Sequence, residues 1–129
     1  SLTPFHKDYK PFYGGSIWSR DGGYHQGTVW SFLIGAYIDA LVFVKGNKGK
    51  KEAREVMQKF LEHLDEAGVG TISEIFDAES PHSARGCIAQ AWGVGEALRV
   101  ITEHELFKAS SAKQKLKDDL LEKIEKTKY

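Results

Sequence analysis

Gln26–Gly27–Thr28–Val29–Trp30 brings hydrogen-bonding side chains and an aromatic plate to the border between a loop and an apolar run. Arg20, Asp21, Tyr24 and His25 stand just upstream. Sugar hydroxyls need bidentate polar partners, and the C–H faces of a pyranose need a flat aromatic surface. This stretch carries both. The simpler reading is a packed loop–helix junction, because aromatics beside glycine are more often structural. Other chemistries lack their groups: there is no Cys/His spacing for zinc, no phosphate-binding glycine loop and no GxSxG. Neither a cofactor nor a metal is expected.

A chain of 129 residues is one domain or a piece of one. Lys+Arg and Asp+Glu number 18 each, so the basic excess of a nucleic-acid footprint is missing. No apolar run reaches the ~18 residues of a membrane span. The longest is broken by Gly35 and Asp39, and Ser1–Lys10 has no charged-then-apolar leader pattern. Cys87 is the only cysteine, which excludes an internal disulfide and suits a reduced, cytoplasmic setting.

The elements that must hold the polar cluster follow in order. Ser1–Gly23 shows no helical or strand period, and its prolines, glycines and aromatics read as a functional loop. Thr28 is a candidate N-cap for a first helix over Val29–Val44, apolar on every face and so expected to be buried all round. Lys45–Gly46 stops it, with Gly46 suited to a left-handed cap. The second helix, Lys48–Ala67, carries one apolar stripe through Ala53, Val56, Met57, Phe60, Leu61 and Leu64. Gly70–Asp77 is a short extended segment or an irregular turn, and Ala78–Gly86 a polar loop. A third helix, Cys87–His104, is largely apolar, and its Gly93 and Gly95 allow close approach of another helix. An amphipathic helix over Ala112–Lys126, with Leu116, Leu120, Leu121 and Ile124 as its stripe, closes the chain.

Buried helix, surface helix, buried helix, surface helix is the alternation of an all-α toroid, in which an inner ring packs on an outer ring. A four-helix bundle fits less well, because all its helices would be one-sided. The two apolar helices need more cover than two surface helices provide. The expectation is a fragment of a larger toroid, or self-association through uncovered inner-helix faces.

Several motifs in order carry a resemblance: Asp21-Gly-Gly-Tyr-His-Gln-Gly-Thr-Val-Trp30, Tyr37-Ile-Asp-Ala40, Gly70-Thr-Ile-Ser-Glu-Ile-Phe-Asp77, Pro81-His and Arg85-Gly-Cys-Ile-Ala-Gln-Ala-Trp92. From about Tyr13 to Arg99 the chain resembles the C-terminal end of the glycogen debranching enzyme glucosidase domain. That family is similar to the glucoamylase-type six-hairpin glycosidases. The resemblance implies a partial (α/α)6 toroid over residues 1–104, followed by an amphipathic tail over 105–129. It implies an inverting hydrolysis of α-1,6 branch-point glucose, with an α-glucan or oligosaccharide as substrate. The family pattern has proline where Ser31 and Ala36 stand, so a straighter inner helix is expected here.

Inverting glycosidases pair a protonated carboxyl with a second carboxylate that activates water, ~6.5–9.5 Å apart. Glu74 matches the family's general base. The family's general acid lies upstream of the matching stretch, and neither Asp21 nor Asp77 corresponds to it. The remaining site candidates are Tyr24, His25, Gln26, Trp30, Arg85, Gln90 and Trp92. Tyr24 and Trp30 would wall the glucose pocket, His25 and Gln90 would bind hydroxyls, and Arg85 would orient Glu74 and keep it ionised. Trp92 sits in an apolar helix and reads more as core than as contact. Cys87, at a helix start, reads as packing, and His82 as a solvated loop residue. The competing function is a standalone helical carbohydrate-binding or protein-interaction module without catalysis.

Overall fold

A computed structural model describes residues 1–107; the expected helix over Ala112–Lys126 lies outside the described residues. They are mostly helical, with a small sheet added. In order they form α1 (Ile17–Tyr24), β1 (Val29–Trp30), α2 (Leu33–Lys45) and α3 (Asn47–Leu61). A 3-10 turn (Glu62–Asp65), β2 (Ile75–Phe76), β3 (Ala84–Arg85) and α4 (Ala91–Glu103) follow.

Helix α1 breaks the expectation of an irregular first segment. The Ser16 hydroxyl caps it by accepting the Ser19 N–H at 3.3 Å. Its two glycines and sparse apolar residues leave no period to read. Thr28 is not a helix cap, and α2 starts later than expected. The Thr28 hydroxyl donates backward to the carbonyl of Tyr24 at 2.7 Å. Val29 and Trp30 form a strand, paired antiparallel with Phe76 and Ile75. β-branched and aromatic residues suit a strand as well as a buried helix, and only the distant partner decides. Ser31 therefore precedes the helix rather than relaxing it.

Lys45 ends α2 as expected, and Gly46 at φ 56° sends the chain straight into α3. The two helices can touch because Gly49 has no side chain. A Cβ there would lie 2.2 Å from the Leu41 carbonyl oxygen. The stripe of α3 supplies Ala53 and Met57, both fully buried, to a core with Ile38, Leu41, Ile72, Ala97, Val100 and Leu106. Burying a side chain of this size contributes ~1.5–3 kcal/mol.

The expected all-round burial of the apolar helix does not hold. On α2 only Gly35, Ile38 and Leu41 are buried, while Tyr37 is 54 % and Phe43 91 % exposed. Among the described helices α2 packs chiefly on α3 and α4, and part of its circumference stays uncovered. Helix α4 shows the same one-sidedness. Its Gly93 is closely approached, with a built Cβ 2.5 Å from the Ser31 hydroxyl oxygen, whereas nothing lies within 4 Å at Gly95. No helix of the described residues is long and apolar enough to cross a membrane.

Candidate active site

Glu74 lies at the mouth of the small sheet, held from both sides by backbone. Its N–H donates to the Cys87 carbonyl at 2.8 Å, and its carbonyl accepts the Ser31 N–H at 3.0 Å. Proline has no N–H to donate. Ser31, unlike a proline at this position, thus adds a tether to the Glu74 main chain.

The side chain is equally constrained. The Tyr24 hydroxyl donates to Oε1, and the Cys87 N–H donates to Oε2 at 3.0 Å. Gly86 makes room for this. It sits at φ 68°, and a Cβ there would lie 2.5 Å from Oε2 of Glu74. Burial first, then the hydrogen bond and charge of Glu74, push the Tyr24 phenol up to about 12. At neutral pH Tyr24 is therefore a proton-bearing donor, aimed at a carboxylate.

Tyr24 is fixed in turn. Its carbonyl accepts both the Thr28 hydroxyl and the Trp30 indole N–H, the latter at 2.9 Å. Its ring lies edge-on to Trp30, with centroids 4.7 Å apart, and His25 stacks flat on Trp30 at 5.1 Å. The series continues through Phe32, 6.1 Å from Trp30, to Trp92, which stacks on Phe32 at 3.6 Å. The outcome is a carboxylate beside a run of aromatic faces, half-buried at Tyr24 and Trp30 and exposed at His25 and Trp92. Such a surface can take the C–H face of a sugar while a carboxylate addresses water or hydroxyl.

The structure brings together Glu74, Tyr24, His25 and Trp30, with Trp92 at the far end of the aromatic run. Trp92 is 55 % exposed, so the expectation of a core residue fails. The partner helix that would cover it is not supplied by the described residues. Gln90 precedes α4, partly buried, and its N–H donates to the Ile72 carbonyl at 2.9 Å. Gln26 is anchored by its backbone, whose carbonyl accepts the Lys10 N–H at 3.1 Å. Its buried side-chain oxygen has no protein partner among the described residues.

Arg85 does not orient Glu74. Its Nε–H donates to Asp77 Oδ2 at 2.9 Å, and Asp77 Oδ1 accepts the Tyr13 N–H at 2.8 Å. The register explains this choice. Arg85 pairs with Ile75, so Asp77, two residues along, is its diagonal neighbour on the same face. Glu74 is one residue away from Ile75 and belongs to the other face. Asp77 is 1 % exposed and fully engaged, which leaves it unsuited to passing a proton to substrate.

Cys87 is exposed and lies before α4 rather than at its start or in the core. What it contributes is main chain, which no residue-type signal reveals. Gly86 and Tyr13 were equally silent in sequence, because their roles depend on neighbours remote in the chain. His82 is exposed as expected, at φ 59°, with Nδ1 3.2 Å from the Asp77 carbonyl oxygen.

A cavity of about 530 Å³ opens between the sheet, α2 and the end of α3, lined by Trp30, Tyr37, Phe60, His63 and Phe76 among others. Glu74 and Tyr24 do not line it. The cavity is therefore separate from the Glu74 carboxylate and its donors, and Lys59, Glu62, Glu66 and His82 are among its polar lining. No group of three or more His, Cys, Asp or Glu side chains among the described residues could hold a metal ion.

The sequence model of a family described as amylo-alpha-1,6-glucosidase matches residues 1–99. No curated protein and no solved structure matches the chain.

Proposed function

The chain belongs to the amylo-alpha-1,6-glucosidase family, and from that premise we propose that it forms the general-base side of an inverting α-1,6-glucosidase site. A glycogen debranching enzyme-like domain needs a carboxylate that stays put while water approaches. The observation that carries the reading is the double clamp on Glu74, by the Tyr24 hydroxyl and the Cys87 N–H. A carboxylate oxygen has more than one lone pair, so each clamped oxygen can still accept a proton from water.

In this reading Glu74 takes a proton from water as the water attacks the anomeric carbon. The opposing carboxylic acid protonates the leaving glycosidic oxygen. That acid comes from sequence upstream of the matching stretch. In this reading Trp30 and Tyr24 wall the glucose site, and His25, Gln26 and Gln90 bind hydroxyls. Arg85 supports the loop through Asp77. Trp92 extends the aromatic surface toward the rest of an α-glucan or branched oligosaccharide.

Helices α2 and α4 are read as inner helices of an (α/α)6 toroid, with α3 on its outer ring. Residues 1–104 then form the toroid segment and 105–129 an amphipathic tail. Leu106 nevertheless packs into the same core as α2 and α4. A cytoplasmic setting, in keeping with the lone Cys87, is part of this reading.

The test is Glu74→Gln in a polypeptide that carries this chain together with the acid, assayed on isomaltose-type and limit-dextrin substrates. Unchanged glucose release by that variant would overturn the proposal. A carbohydrate-binding module without catalysis is the second reading. It is favoured by the engagement of Asp77, which leaves no second free carboxyl in the cluster to act as acid, and it predicts sugar binding with no turnover in any context.

A further inference from the structure

We propose that His63 is a positioning residue for Glu74, acting through the backbone of Ser73; the catalytic consequence rests on the reading of Glu74 as the base. His63 lies on the 3-10 turn after α3 and is only 6 % exposed. Its Nε2 is 3.2 Å from the Ser73 backbone nitrogen and 3.1 Å from the Ser73 hydroxyl oxygen. A backbone N–H can only donate, so Nε2 carries no proton. The ring proton is on Nδ1, which donates to Glu66 Oε2 at 2.7 Å. The ring is thereby held in a single tautomer, with Glu66 as the lock.

The order Ser73–His63–Glu66 has the outline of a nucleophile, base and orienting acid. It does not work as one, because Ser73 is 1 % exposed and Nε2 is already committed to the amide proton. What the arrangement does is hold main chain. The Ile72 carbonyl accepts the Gln90 N–H, the Glu74 N–H donates to Cys87, and the Glu74 carbonyl accepts from Ser31. Those bonds are backbone to backbone. The Ser73 N–H is instead taken by a side chain. A buried amide that loses its acceptor must move or remain unpaired. Ser73 is joined directly to Glu74, so its displacement carries the carboxylate with it.

The test compares His63→Leu, which keeps apolar volume and removes the acceptor, with His63→Gln, whose carboxamide oxygen can take the same N–H. In the polypeptide that hydrolyses substrate, His63→Leu is expected to lower kcat about 10- to 100-fold with KM nearly unchanged, the scale of a small misplacement of a reacting group. His63→Gln should recover most of that loss. In the 129-residue chain, amide exchange at Ser73 and Glu74 should quicken in His63→Leu and not in His63→Gln. A folded His63→Leu with full kcat and unchanged exchange overturns the proposal, as does equal impairment of both variants. If His63→Leu does not fold, Glu66→Ala tests the lock without touching the core, and an unchanged kcat there also overturns it. Glu74→Gln separates the two layers. Undiminished hydrolysis in that variant defeats the base reading, while amide exchange still decides whether His63 places the loop.

Discussion

The Tyr24 hydroxyl donates to Oε1 of Glu74, a residue 50 positions further along the chain. This bond joins the end of α1 to the residue just before β2. It makes Tyr24 a holder of the carboxylate as well as a wall.

Tyr24→Phe should therefore lower kcat/KM by about 10-fold, the size of one charge-assisted hydrogen bond, while keeping the ring against Trp30. Its alkaline behaviour gives an independent check. The phenol is raised to about 12 from its ordinary value of 10.0, so folding favours its protonated form. That stabilisation is fully present below pH ~10 and is lost as pH rises through ~12. The stability gap between wild type and Tyr24→Phe should shrink over this interval, by an amount on the order of 1 kcal/mol after allowance for partial exposure. Denaturant melts at pH 9 and pH 11.5 would measure it, and parallel curves would refute the coupling.

Glu74→Gln keeps size and most of the hydrogen-bonding outline but cannot accept the proton of water. Turnover should fall by about 10²- to 10⁴-fold, with sugar affinity within a few-fold of wild type. Steady-state kinetics and calorimetry on the same enzyme would separate the two quantities.

Gly86→Ala should injure both fold and site. At φ 68° an alanine is strained by ~1–2 kcal/mol. The added Cβ also meets the Glu74 carboxylate and Ile75. Gly46→Ala is the matched control, since Gly46 has φ 56° with nothing within 4 Å. Both variants should lose stability, and only Gly86→Ala should lose turnover. Equal turnover in the two would show that the Glu74 carboxylate does not need this gap.

Arg85→Ala leaves the buried Asp77 carboxylate without its cation. The arginine side chain is 44 % exposed, so a loss of ~1–2 kcal/mol is expected rather than the full cost of breaking a buried pair. Because Arg85 touches Asp77 and not Glu74, sugar affinity should change less than stability. A variant of normal stability with abolished turnover would restore Arg85 as a direct partner of the site.

The isolated 129-residue chain should self-associate and release no glucose. Phe43 is 91 %, Val44 76 %, Leu98 60 % and Trp92 55 % exposed, and apolar surface of this kind is rarely left bare. Light scattering, with Phe43→Ser as the variant expected to reduce association, checks the first part. An assay on branched oligosaccharide checks the second, since only one of the two required carboxylates has been identified in this chain.

The stripe of α3 was legible because a 3.6-residue period is a local property, and Ala53 and Met57 sit in the core where that period puts them. The stop at Lys45–Gly46 was legible for the same reason, since a glycine at positive φ answers a local demand. The motif around Glu74 pointed to its family by residue order alone. Strand β1 was not legible, because Val29 and Trp30 suit helix or strand until Phe76 and Ile75 arrive to pair with them. The same holds for Arg85, whose partner depends on register, and for Trp92, whose exposure depends on how many helices surround α4. The sequence by itself determined the cores of α2, α3 and α4, though not α1, and which carboxylate merits attention. Only the tertiary structure decided what that carboxylate touches, because Tyr24, Cys87, Gly86 and His63 reach its loop through chain closure over distances that no local pattern encodes.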